Sequence, residues 1–172
     1  ESGRLLKINK FEKNKWRLFN TDHELITVEY DVYAYDLSVR GAYVDQNRLY
    51  VNPACACLGL EGQENLAIEA EIFLPNELKH FQLATGLAHK SLVKGRYTLK
   101  AKDYATWIDS PFELAEQTRF SFQAADIPHE FVVSGKHAMN AQRMQQDIEK
   151  ICATEIALFG SAPFENYTFM TM

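Results

Sequence analysis

Residues 30–45 read YDVYAYDLSVRGAYVD, and the first half of that stretch decides how the chain is read. From position 24 to 35 the side chains alternate with period two. Leu25, Thr27, Glu29, Asp31, Tyr33 and Tyr35 fall on one face, and Ile26, Val28, Tyr30, Val32 and Ala34 on the other. With its Val, Ile, Tyr and Thr content, this spacing predicts a long strand. Asp36, Arg40 and Asp45 then interleave with Leu37, Val39, Tyr43 and Val44. That run is too apolar for a solvated loop and too charged for a core strand, so it is read as a local ion-pair network with a structural role.

Working outward, short strand-like runs dominate residues 1–107. Residues 5–9 and 15–19 predict a hairpin around Glu12-Lys13-Asn14, and Thr21-Asp22-His23 turns the chain into the long strand. Further strands are expected over 51–58, 66–74, 80–83 and 96–101. Asn52-Pro53 punctuates the start of one, and Pro75-Asn76-Glu77 ends another. This spacing predicts an N-terminal antiparallel β-sandwich-like domain. The character changes over 103–113 (DYATWIDSPFE), which places a boundary near 108 and gives domains 1–107 and 108–172. Beyond it, strands over 118–124 and 129–134, a helix over 140–159 and a strand over 167–171 read β-β-α-β. Met144, Ile148, Ile151, Cys152, Leu158 and Phe159 recur at helical spacing, and Gly160 stops the helix. The fold class is therefore mainly β with one long helix, α+β.

Composition narrows the partners. A net charge of -5 over 172 residues argues against nucleic acid, which needs a basic face. No apolar run approaches the ~20 residues that span a bilayer, so no membrane partner is expected. The chain begins at Glu1 without Met and ends in the strand-like run 167–172, and it is read as an excised piece of a longer protein. Cys55, Cys57 and Cys152 make an odd count, which reads as reduced thiols in a reducing compartment and hence a cytoplasmic location.

The residues offer little chemistry. His129-Glu130 begins like a zinc-peptidase helix, but the fourth residue after His129 is Val133, and Phe131 and Val133 alternate with Val132 and Ser134 as in a strand. Pro128 pushes Ile127 toward an extended conformation. A strand carrying a partly buried His is the favoured reading. His23, His80, His89 and His137 are scattered, and neither a nucleophile elbow nor a phosphate loop is present. Ser134-Gly135-Lys136 and Asp109-Ser110-Pro111 read as turns.

Three segments nevertheless act together: residues 32–45 (VYAYDLSVRGAYVD), 109–112 (DSPF) and 127–135 (IPHEFVVSG), followed by CATEIALFG and PFENYTFM. As a set, in this order, the chain resembles the glycyl aminopeptidase family, zinc metallopeptidases with a C-terminal PDZ domain. The resemblance implies a parent with an N-terminal β domain, a thermolysin-like catalytic domain and the PDZ domain. This chain would hold the first of these and the opening β-β-α-β of the second. It implies a zinc-dependent aminopeptidase parent with a glycine- or alanine-type preference, acting on peptides, whose zinc ligands lie past Met172. No catalytic or metal residue is carried onto this sequence, and its substrate-binding residues stay unassigned. The piece alone is expected to be inactive, to serve the remaining domains of its own chain, and to self-associate through an apolar face including Met144, Ile148, Ile151 and Phe169. The alternative is a stand-alone β-rich module for peptide or glycan, with Tyr30, Tyr33, Tyr35, Tyr43 and Tyr50 as an aromatic platform.

Overall fold

The computed structural model describes residues 5–19 and 25–172. By contact the chain falls into two compact units, 1–32 and 33–172. The first contains the expected hairpin, β1 (Ile8–Glu12) against antiparallel β2 (Lys15–Leu18). Lys10 lies over the Trp16 ring and Arg17 over Phe11, so the cations cover the aromatic faces of an otherwise exposed ribbon. The expected turn at Thr21-Asp22-His23 lies outside the described residues.

The long strand over 24–35 does not form. Residues 25–34 carry no regular structure, and Tyr35 makes a single bridge to Tyr43. Alternation describes where side chains point, but a strand exists only when a neighbour satisfies its backbone. Among the described residues, strand-type pairing is found where the chain doubles back. The Asp36 amide donates to the Ala42 carbonyl (3.0 Å) and the Val44 amide to Ala34 (3.0 Å).

The charges that follow are turn caps, not an ion-pair network. Asp36 accepts the Ser38 amide (2.8 Å), and Asp45 accepts the amides of Asn47 (2.7 Å) and Arg48 (2.8 Å). No ion pair among the described residues joins Arg40 to either aspartate. Gly41 passes so close to Asp36 that a Cβ would sit 2.7 Å from its carboxyl carbon, and the tight turn depends on that glycine.

The second unit is built on three sheets. The first has the order β3-β4-β9-β6: β3 (Ala42–Val44), β4 (Arg48–Val51), β9 (Phe112–Ala115) and β6 (Gln82–Thr85), all antiparallel. The second has the order β5-β8-β7: β5 (Ile68–Phe73), β8 (Arg96–Ala101) and β7 (Ala88–Val93). In β5 the alternation holds, with Ile68, Ala70 and Ile72 inward and Glu69, Glu71 and Phe73 outward. Leu83, Phe112 and Leu114 from one sheet pack with Leu99 and Ala101 from the other, together with Trp107, into one core. This is the expected sandwich.

Between the strands, the expected strand 51–58 is corrected. Asn52 caps a short helix, α1 (Pro53–Ala56), by accepting the Ala54 amide, and Pro53 takes the first turn, where its missing N–H costs nothing. Asn-Pro therefore opens a helix here. Likewise Asp103 caps α2 (Tyr104–Ile108), in the stretch where only a change of character was legible.

The third sheet, β10-β11-β12, joins β10 (Gln117–Ala124) antiparallel to β11 (Ile127–Ser134), and β11 parallel to β12 (Tyr167–Thr171). Parallel pairing needs a crossover, and α3 (Ala141–Phe159) supplies it. Asn140 caps its start by accepting the Arg143 amide (3.0 Å), and Gly160 ends it at φ 79°, in the left-handed region. Phe122, Ala124, Phe131 and Val133 meet Cys152, Met144, Ile148 and Ile156 of α3 in a second core. From β10 onward the order is the expected β-β-α-β, but β9, which also lies past residue 108, was not expected and belongs to the first sheet.

Candidate functional site: a polar cleft beside β11

Alternation in the third sheet sorts its side chains onto two faces. Phe120, Phe122, His129, Phe131 and Phe169 lie toward α3, and Arg119, Ser121, Glu130 and Thr168 on the opposite face. Ser121 pairs with Glu130 and Glu130 with Thr168 in register, so the three form one polar row across the strands.

That row floors a cleft of about 610 Å³. Its facing wall is residues 85–89, the turn from β6 into β7, and Gln123 and Asn166 also line it. The walls are tied at the back. Arg119 donates through Nη1 to both Glu130 oxygens (3.2 and 3.3 Å) and through Nη2 to the Leu83 carbonyl on β6 and to Gln117. The Thr168 hydroxyl donates to the Thr85 carbonyl (3.4 Å). β6 is the edge of its sheet, and these two side chains occupy carbonyls that a free edge would present to another strand.

Ser121, His89 and Glu130 all line this cleft, the residue types of a charge relay. They do not form one. The His89 Nδ1–H donates to the Leu87 carbonyl (2.9 Å), the Glu130 carboxylate is held by Arg119, and no hydrogen bond links the three. Two of the side chains that line the cleft are instead engaged with its own backbone and with Arg119.

His129 is the buried strand residue its spacing predicts, only 3% exposed. Its ring stacks on Phe122 (5.0 Å between centroids), and Nδ1–H donates to the Ile127 carbonyl (2.8 Å). It also lines a smaller cavity of about 290 Å³ with Cys152, Glu155 and Phe164. Among the described residues no three His, Cys, Asp or Glu side chains converge as metal ligands, so the residues present here do not fit a zinc site. His80 approaches Glu116 (3.4 Å) at the surface, His137 accepts the Met139 amide, and His23 lies outside the described residues.

The two sequence turns are turns. The Ser110 hydroxyl donates to Thr106 (2.7 Å), and the Pro111 carbonyl accepts Thr85 (3.2 Å), which fixes the cleft wall. Gly135 reverses the chain at φ 83°, and its amide donates to Glu116. Cys55 is exposed, Cys57 half-buried and Cys152 buried, and all three are free thiols. Of the five tyrosines offered as a platform, Tyr50 is buried, its hydroxyl donating to the Val39 carbonyl (2.9 Å), and Tyr35 and Tyr43 pack on each other. Sequence reasoning missed the cleft itself. Arg119, Ser121 and Glu130 alternate with phenylalanines in β10 and β11, but nothing in the sequence says which loop faces that row.

Residues 1–116 match the peptidase M61 N-terminal domain. The chain belongs to the peptidase M61 N-terminal domain family. The M61 domain ends where β9 ends, so the cleft has one wall inside the domain (85–89) and its floor just beyond it (121–130 and 166–168). The chain is also similar to the crystal structure of an aminopeptidase N family protein from Idiomarina loihiensis. The two are 35% identical with a TM-score of 0.83, over 97% of this chain and 29% of that one. The chain thus spans under a third of that relative's length. No curated protein matches it. Together these findings make this a peptidase-associated N-terminal portion.

Proposed function

We propose that this chain is the non-catalytic front of a zinc-dependent aminopeptidase of the glycyl aminopeptidase type, with the residues after β9 opening a thermolysin-like catalytic domain and a PDZ domain further on. The observation that carries the reading is the likeness to an aminopeptidase N family protein along 97% of the chain. On this reading the peptide substrate and the remaining domains of the same chain are its partners, and glycine- or alanine-type N-termini are preferred. Nucleic acid and membrane are not partners, and the protein works in the cytoplasm. On this reading zinc is held by residues of the longer protein past Met172.

What these residues do is positional. The M61 sandwich presents residues 85–89 as a wall, and the third sheet presents Ser121, Glu130 and Thr168 as a polar floor. A cleft so lined accepts the backbone N–H and C=O groups of an extended peptide. Metal analysis of the purified full-length protein is the test. About one zinc per chain, with none retained by residues 1–172, supports the reading, and a full-length protein that binds no zinc under any loading condition overturns it.

A further inference from the structure

We infer that Arg119 sets the width of the polar cleft, acting as a positioning residue that ties the M61 domain to the sheet behind it. The inference rests on the proposed function only in taking the cleft as a place where peptide lies.

Arg119 bonds to the floor of the cleft and to the strand that leads into its wall. Leu83, whose carbonyl accepts its Nη2, stands on β6 two residues before Thr85, where the wall begins. Glu130, whose carboxylate accepts its Nη1, is part of the floor. One planar guanidinium thus joins the floor to the strand that carries the wall, and its fork fixes both directions at once. The second tie, from the Thr168 hydroxyl to Thr85, joins the same two elements.

The ties are polar bonds set beside an apolar neighbour, since Val132, in register with Arg119, is wholly buried. Arg119 is partly buried, at 25% side-chain exposure, with Nε buried and unpartnered. An apolar seam would slide with little directional preference, whereas donor-to-carbonyl bonds hold one spacing. The pairing also decides the charge of the cleft. With Arg119 in place Glu130 is neutralised from behind, and without it a free carboxylate faces the ligand.

The test measures distance directly. Spin labels on non-canonical amino acids at Lys90 and Gln123 of the full-length protein report the wall-to-floor spacing by double electron–electron resonance. The wild type is expected to give one narrow distribution. Arg119→Met is expected to shift or broaden it beyond the wild-type width while the protein still melts cooperatively. Arg119→Lys, which keeps the charge but cannot fork, is expected to fall between the two. Should the methionine variant fail to fold, the lysine variant together with Thr168→Val, which removes the second tie at constant shape, is expected to broaden the distribution. An unchanged distribution in folded variants overturns the inference. The distances are read without any enzymatic assay, so a full-length protein that proves not to be a peptidase leaves this result standing on its own.

Discussion

The carboxylate of Glu113, wholly buried on β9, pairs with the guanidinium of Arg48 on the neighbouring strand β4. Arg48 also lies over the Tyr50 ring. A buried pair contributes little net stability when intact, but removal of one partner strands a charge. Glu113→Gln is therefore expected to destabilise by about 3 kcal/mol, and Arg48→Met by a comparable amount. The double variant Arg48→Met, Glu113→Gln is expected to cost much less than the sum. Urea unfolding of the four proteins measures the cycle, and additive losses would contradict the pairing.

Two turn caps predict how stability responds to acid. Hydrogen bonds from the amides of Asn47 and Arg48 hold the Asp45 carboxyl below the ordinary carboxylate range. The Thr106 hydroxyl and amide do the same for Asp103 at the start of α2. A depressed folded value means that each carboxylate adds stability above its unfolded value and loses it as pH falls through the folded one. Melting temperature is expected to drop below about pH 4, where free aspartates titrate. Asp45→Asn and Asp103→Asn are each expected to flatten that drop, and variants with the wild-type acid profile would contradict the capping.

The thiols are expected to react in the order of their surroundings. Burial raises the Cys57 and Cys152 thiols above their ordinary value, which leaves little thiolate at neutral pH. Cys55 is exposed. Iodoacetamide followed by peptide mass spectrometry should modify Cys55 first and Cys152 last, with the Cys152 rate rising on mild denaturation. Equal rates in the folded protein would contradict the burial.

Self-association of residues 1–172 expressed alone is also expected, through a set of side chains that keeps only Ile151 of those the sequence suggested. Met144 and Ile148 of α3 and Phe169 of β12 pack in the core between helix and sheet. Ile151, Leu158 and Phe159 of α3 stand 59%, 74% and 77% exposed. Contiguous exposed apolar side chains mark an interaction face. Leu158→Glu with Phe159→Glu is expected to lower the sedimentation-average mass and dye binding of the fragment, while Met144→Ala should affect stability. A strictly monomeric fragment at high concentration would contradict it.

Much of the fold was legible because its signals are local. The α3 span, its Asn140 and Gly160 ends, and the β10-β11-β12 order follow from periodicity and capping residues. The 24–35 strand failed because alternation contains no information about a partner. β7 and β9 went unread for the opposite reason. Ala88–Val93 is exposed along its whole length and Phe112–Ala115 buried along its whole length, so neither alternates. The cleft was invisible in the sequence, since Arg119 and Leu83 stand 36 positions apart and meet only through the sheet edge.

The central claim is best tested by hydrolysis. The full-length protein and residues 1–172 would each be incubated with alanine and glycine p-nitroanilide, with and without a chelator. Release by the full-length protein that disappears with chelator and returns with zinc, alongside an inert fragment, is the predicted result. Activity in the fragment alone, or an inert full-length protein at every zinc concentration, would contradict the account.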